Sequence, residues 1–263
     1  MARRKREWAF GFCVLVLRRP LMLLTRRDWR GGEHVPRTGG CVIAVNHVSE
    51  FDPIPFAHFI YDNGRLPRFL GKAEVFKVPV VGAILTNAGQ LPVYRKTTDA
   101  AKAFRAAVAA IEQGECVVVY VEGTITRDPG LWPMVGKTGA ARIALSTCCP
   151  VIPAAQWGPQ DVLAPYGRKP RLFPRKLMRM RAGPPVDLAA YQGRPLTPET
   201  LRAATTAIVD DITGLLEDIR GERAPDTRFD PLVAGVPEIG NPNRPVRDAT
   251  PPVEDPGTSG GED

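Results

Sequence analysis

The 263-residue chain predicts an α/β fold, one domain in which a mixed central sheet is flanked by helices. Three observations predict it. Short, largely β-branched apolar runs at 41–45, 116–121 and 151–156 have the length and composition of buried strands. Segments with helical spacing separate them, and alternation of the two is the pattern of sheet-plus-helix units. Hydrophobic residues make up 44% of the chain, enough for one sizeable core with appendages rather than several small domains.

Residues 1–30 hold nine Arg or Lys against two acids. The cations surround the apolar run 8–17, and Arg18 and Arg19 interrupt it before Leu21, Met22, Leu23 and Leu24. A spanning helix needs about 20 apolar residues, so this shorter run predicts a helix lying in a membrane interface, with Trp8 and Phe10 among the acyl chains and Arg near lipid phosphates. No small-residue cleavage site precedes the Arg pair, which argues against a signal peptide.

The run 41–45 is the first strand of the domain, and Pro53 suits the first position of a helix because its missing N–H is not needed there. Asp52 then becomes the expected N-cap. Between strand and helix lies Asn46-His47-Val48-Ser49-Glu50-Phe51-Asp52-Pro53. Within one helix, residues five apart would point about 140° away from each other, so a loop is what lets His47 and Asp52 meet. A carboxylate on one ring nitrogen fixes the tautomer and supports the charge formed when the other nitrogen takes a proton. The pair is that of a serine-protease triad without the serine nucleophile, so the hydroxyl to be activated is expected to belong to a substrate.

Further along, Phe104, Val108 and Ile111 recur at helical spacing over 98–113, and Gly114 stops the pattern before the strand 116–121. Residues 137–147 read as a helix leading into the strand 151–156. Leu177, Met178 and Met180 alternate with Arg179 and Arg181, which predicts an edge strand with outward cations. The last helix begins near Thr197-Pro198-Glu199 and buries Ile208, Ile212, Leu215 and Ile219 on one stripe. Leu131-Trp132-Pro133-Met134 fits either a groove for an apolar chain or the core.

After Arg223, eight prolines in 39 residues predict a disordered Pro/Gly-rich acidic tail. The expected organisation is therefore a membrane-associating segment 1–30, a folded domain 31–223 and a tail 224–263. Residues 225–263 carry a net −5, which leaves +12 on the rest of a chain whose formal charge is +7. That surplus suits anionic lipid, an acidic carrier protein or nucleic acid. The five cysteines are odd in number and show no C-x-x-C pairing, so they read as small hydrophobes in a reducing compartment. Neither zinc-ligand spacing nor a Gly-rich nucleotide loop is present in the sequence.

With the His47 block in place, three further blocks follow in order: Gly89-Gln90-Leu91-Pro92-Val93-Tyr94-Arg95, then Val121-Glu122-Gly123-Thr124, then Pro150-Val151-Ile152-Pro153. The chain resembles the glycerolipid acyltransferases related to 1-acylglycerol-3-phosphate acyltransferase, over roughly residues 30 to 220. Four blocks in order are specific where any one would be weak. Two departures stand out, Val121 and Ile125 in positions that the family usually gives to Pro and Arg, with Arg127 two residues further on.

The resemblance implies a single acyltransferase domain that moves a fatty acyl group from acyl-CoA or acyl carrier protein to a lysophospholipid hydroxyl. It implies His47 as base, Asp52 as its orienter, and a phosphate site of Arg95, Glu122, Gly123 and Thr124, in which Glu122 organises the site or pairs a nearby Arg while Thr124 donates. No cofactor is implied. The expected partners are the lysophospholipid, the acyl donor and an anionic membrane surface, with no nucleic acid, and the expected place is the cytoplasmic face of the cell membrane. Another lyso-lipid or glycolipid acceptor, or a non-catalytic basic membrane-binding module, is the alternative.

Overall fold

The structure, a computed structural model, describes residues 2–93, 97–237 and 241–242, without the side chains of residues 2–9, 13 and 97–100. Seven strands run β1 (Thr25–Arg30), β2 (Cys41–Val45), β3 (Pro67–Lys72), β4 (Leu91–Val93), β5 (Cys116–Tyr120), β6 (Val151–Trp157) and β7 (Lys176–Ala182). They form one sheet in the order β1-β7-β6-β2-β5-β3-β4. The sheet is mixed, because β6 and β7 pair antiparallel while the other neighbours are parallel. The helices are α1 (Ala2–Leu24), α2 (Pro53–Asp62), α3 (Val81–Asn87), α4 (Thr97–Glu112), α5 (Gly139–Thr147), α6 (Pro159–Val162) and α7 (Pro198–Arg220).

The central strands are apolar at every position because both faces are covered. Val42 and Ala44 of β2 join Val117 and Val119 of β5 in a core closed by α4, α5 and α7. Their neighbours Cys41, Ile43, Val45, Cys116 and Val118 face the other way, against Phe56, Phe59 and Ile60 of α2. Helix α7 starts as its sequence predicts, with Thr197 Oγ1 accepting from Thr200 N at 3.2 Å and Pro198 in the first turn. Gly158 has φ +114 where β6 ends, and a Cβ there would collide with the Leu177 carbonyl.

Three sequence expectations are revised, and one choice left open, at 131–134, is resolved. β7 is not an edge strand: β1 pairs along its whole length, and Asp28 accepts from Arg181 at 2.9 Å. The edge strand therefore comes from within 1–30, a segment that its cations made look purely membrane-associating. Asp52 occupies the N-cap position of α2 but makes no side-chain cap; its carboxylate is turned back to the preceding loop. Trp132 and Met134 are buried, so 131–134 belongs to the core rather than a groove. The first part of the tail is folded onto the domain, with Ala224 N donating to Glu217, Val135 N to the Phe229 carbonyl and Arg228 to Asp210. The remainder, 238–240 and 243–263, lies outside the described residues. Among the described residues no helix is long and apolar enough to cross a membrane.

Candidate functional site

Parallel strands put their C-terminal ends on one edge of a sheet, where loops rather than ladder bonds take over. β2 and β5 end level with each other, Val45 opposite Tyr120, so the loops that begin at Asn46 and Val121 are neighbours. The first is fastened on one side by Gln156 of β6. The Asn46 amide donates to the Gln156 carbonyl at 3.1 Å and accepts from its N–H at 2.8 Å, while the Gln156 amide donates to the Asn46 carbonyl at 3.0 Å. On the other side, Thr126 N donates to the His47 carbonyl at 2.8 Å and His47 N to Glu122 at 3.0 Å.

The turn brings His47 Nδ1 to 2.7 Å from Asp52 Oδ2. The same oxygen accepts from Val48 N at 2.7 Å and Ser49 N at 3.0 Å. An ionised Asp52 takes the Nδ1 proton as an accepted bond, which leaves Nε2 with a free lone pair. Asp52 is wholly buried while the His47 side chain keeps 17% of its surface, so the imidazole is the reachable half of the pair. Burial pushes the Asp52 carboxyl up from its ordinary range, against the His47 ring and the two backbone donors, which pull it down. The ring is also held from its face: Tyr120 stacks on it with centroids 4.2 Å apart and planes 22° from parallel. Asp52 thus sets rotation within the imidazole plane, and Tyr120 sets the plane.

Glu122 has no exposed surface. One of its oxygens accepts from His47 N and the other from Met134 N at 3.1 Å. Burial pushes its carboxyl up to about 8, with those donors and the Thr126 hydroxyl pulling the other way. Both oxygens are engaged with backbone, and the side chain ties the two loops together, as a residue that organises the expected phosphate site would. Gly123, next to it, is exposed at φ +68, where backbone can approach a ligand closely. Thr124 lies 3.3 Å from the Tyr166 hydroxyl, and the Arg127 guanidinium stacks on the Tyr166 ring at 4.8 Å. Arg95 lies outside the described residues. Among the described residues no group of three or more His, Cys, Asp or Glu could hold a metal ion.

Gln156, Tyr120 and Tyr166 escape the sequence reading for one reason. Each reaches the site from another strand or loop, and Tyr166 crosses some forty residues to do so. Only Tyr120 left a signal, as an aromatic closing an otherwise aliphatic strand.

The chain is 28% identical to the 1-acyl-sn-glycerol-3-phosphate acyltransferase of Bacillus subtilis over 76% of its length and 92% of that protein's. It is 27% identical to a chloroplastic enzyme of the same name from Brassica napus over 52% of its length, which spans 39% of that longer protein. In fold it is similar to the crystal structure of the acyltransferase PlsC from Thermotoga maritima, with a TM-score of 0.57, 21% identity and coverage of 85% of this chain and 81% of the other. The sequence profile of the Acyltransferase family matches residues 26–157, half of the chain, from β1 to the end of β6 and with both site loops inside it; the chain belongs to the acyltransferase family.

Proposed function

We propose that the chain transfers a fatty acyl group from a thioester donor, acyl-CoA or acyl carrier protein, to the free hydroxyl of 1-acylglycerol-3-phosphate, forming phosphatidic acid for phospholipid synthesis at the cytoplasmic face of the cell membrane. The observation that carries the reading is the 2.7 Å contact of His47 Nδ1 with a fully buried Asp52. In this reading Nε2 takes the proton of the acceptor hydroxyl as its oxygen attacks the thioester carbonyl. The C–S bond then breaks, and the leaving thiolate recovers the proton from the imidazolium. Asp52 stabilises the imidazolium in between. Arg95, with a fork of donors that fits phosphate and a charge it does not lose, binds the acceptor head group together with Gly123 and Thr124.

A lyso-lipid with another head group is the second reading, favoured by Arg127, which stands beyond the usual position and lies under Tyr166. The test is acyl transfer by the full chain on vesicles from oleoyl-CoA or oleoyl-acyl carrier protein to acceptors with and without a phosphate monoester. Loss of product in His47→Ala and a raised acceptor KM in Arg95→Ala are the expected results. Equal use of acceptors lacking phosphate would move the assignment to the second reading.

A further inference from the structure

Just beyond the end of β3 the chain makes a 3-10 turn, Ala73–Lys77, and enters α3. β3 pairs in parallel with β5, Phe69 opposite Val118, so this segment leaves the sheet on the edge that carries His47 and Glu122. Its apolar residues face outward: Val75, Val78, Val81 and Ile84 are exposed, and Val80 keeps 71% of its surface. A run of exposed aliphatic residues beside a site is a surface awaiting a partner.

The backbone holds Val80 in that position at a cost. Its φ of 65° and ψ of −56°, with Val81 N donating to the Pro79 carbonyl at 2.7 Å, define a γ-turn of the positive-φ kind. That form is rare and strained, and a β-branched residue is the least suited to it. The turn is clamped from behind, because Gly82 N donates to the Val78 carbonyl at 2.7 Å and a Cβ on Gly82 would collide with the Phe76 carbonyl. Local strain of this kind persists only where the surroundings impose it, and it gathers at functional positions.

Helix α1 packs against α3 and has an exposed apolar side of its own. Phe10 and Leu21 of α1 are buried, while Phe12, Leu15, Val16, Met22 and Leu23 are exposed on the opposite side, within an arc of about 120° at 100° per residue, and Leu17 is exposed outside that arc. The charges in and beside these faces are mostly cations, Arg19 within the apolar arc of α1, Arg18 at its margin, where it also reaches Asp62 at 3.3 Å, and Lys72 and Lys77 beside the turn, with Glu74 the acid in the segment 72–93. Apolar side chains interspersed with cations match the boundary between acyl chains and anionic head groups.

We propose that the 3-10 turn and the start of α3 are a second membrane contact, separate from α1, which seats the His47 edge of the sheet on an anionic lipid monolayer. The inference rests on the lipid-acceptor reading above. Its consequence is that a lyso-lipid reaches His47 with its acyl chain still in the bilayer.

The experiment is partition of the full chain onto vesicles of phosphatidylcholine alone and of phosphatidylcholine with phosphatidylglycerol, for the parent protein, Val80→Gly and Val80→Asp. Glycine accepts φ +65°, so Val80→Gly removes the side chain while keeping or raising thermal stability. It is expected to weaken partition about three- to tenfold, Val80→Asp more, and the parent is expected to prefer the anionic vesicles. Turnover of a monomeric short-chain acceptor stays at the parent level in Val80→Gly.

Unchanged partition in a folded Val80→Asp overturns the proposal. So does a change in oligomeric state by sedimentation with vesicle binding intact, which would make the face a contact between copies of the chain. Val80-dependent partition by a protein that acylates no lipid would sustain the membrane contact and retire the acceptor reading instead.

Discussion

The two loops at the ends of β2 and β5 each contain a carboxyl group with no exposed surface, Asp52 and Glu122, and the two are used differently. Asp52 spends one oxygen on two backbone N–H groups of its own turn and on the ring of a side chain that solvent can reach. Glu122 spends both oxygens on backbone, one in each of the segments it joins. One carboxyl holds the ring proposed as the base and the other the frame that carries it. A buried carboxyl next to such a histidine is therefore assigned by what its oxygens touch, not by its distance from the ring.

The largest effect expected is for His47→Ala, which removes the base and should lower kcat by about 10²–10⁴ with the fold intact. Single-turnover acyl transfer, with circular dichroism beside it, reads both. Asp52→Asn should fall within the same about 10²–10⁴ range, because an amide at that position no longer stabilises an imidazolium. Its effect should lie in kcat more than in KM. A rate near that of the parent would break the comparison at its catalytic side.

Glu122→Gln tests the other side. An amide can accept only one of the two backbone bonds, so a loss of about 1–3 kcal/mol of stability is expected for the N–H left without a partner. The parent should also lose stability as pH rises from 4.5 towards 8, since the unfolded carboxyl releases its proton near 4.5 and the folded one near 8. Melting temperatures across that window should decline in the parent and flatten in Glu122→Gln. Full stability with abolished turnover would instead give Glu122 a role in chemistry.

The smallest effect concerns the stacked ring. Tyr120→Phe keeps the platform under His47 and should stay close to the parent, whereas Tyr120→Leu should cost up to about tenfold in kcat, the worth of an aromatic pair of about 0.5–1.5 kcal/mol. The pH–rate profile should shift in Tyr120→Leu and not in Tyr120→Phe, which a simple packing defect would not produce.

The strands at 41–45, 116–120 and 151–157 and the helices α4, α5 and α7 were legible because period and capping are local properties. The His47–Asp52 pair was legible for the same reason: five residues of loop are enough to close it. Residues 25–30 resisted, since TRRDWR has no apolar alternation and becomes a strand only when β7 supplies a ladder and Arg181 a partner for Asp28. The backbone partners of Glu122 resisted too, because His47 N and Met134 N lie 75 and 12 residues away.

By itself the sequence determined the α/β alternation, the pairing of His47 with Asp52 and the family resemblance, all of which rest on spacing within a few residues. Only the tertiary structure decided that Glu122 braces the two loops, that Tyr120 backs the His47 ring and Gln156 fastens its loop, and that a strained Val80 stands on the same edge as His47. The reason is physical: burial, stacking and exposure are relations between distant segments, set by how the sheet is ordered and which ends of its strands come together.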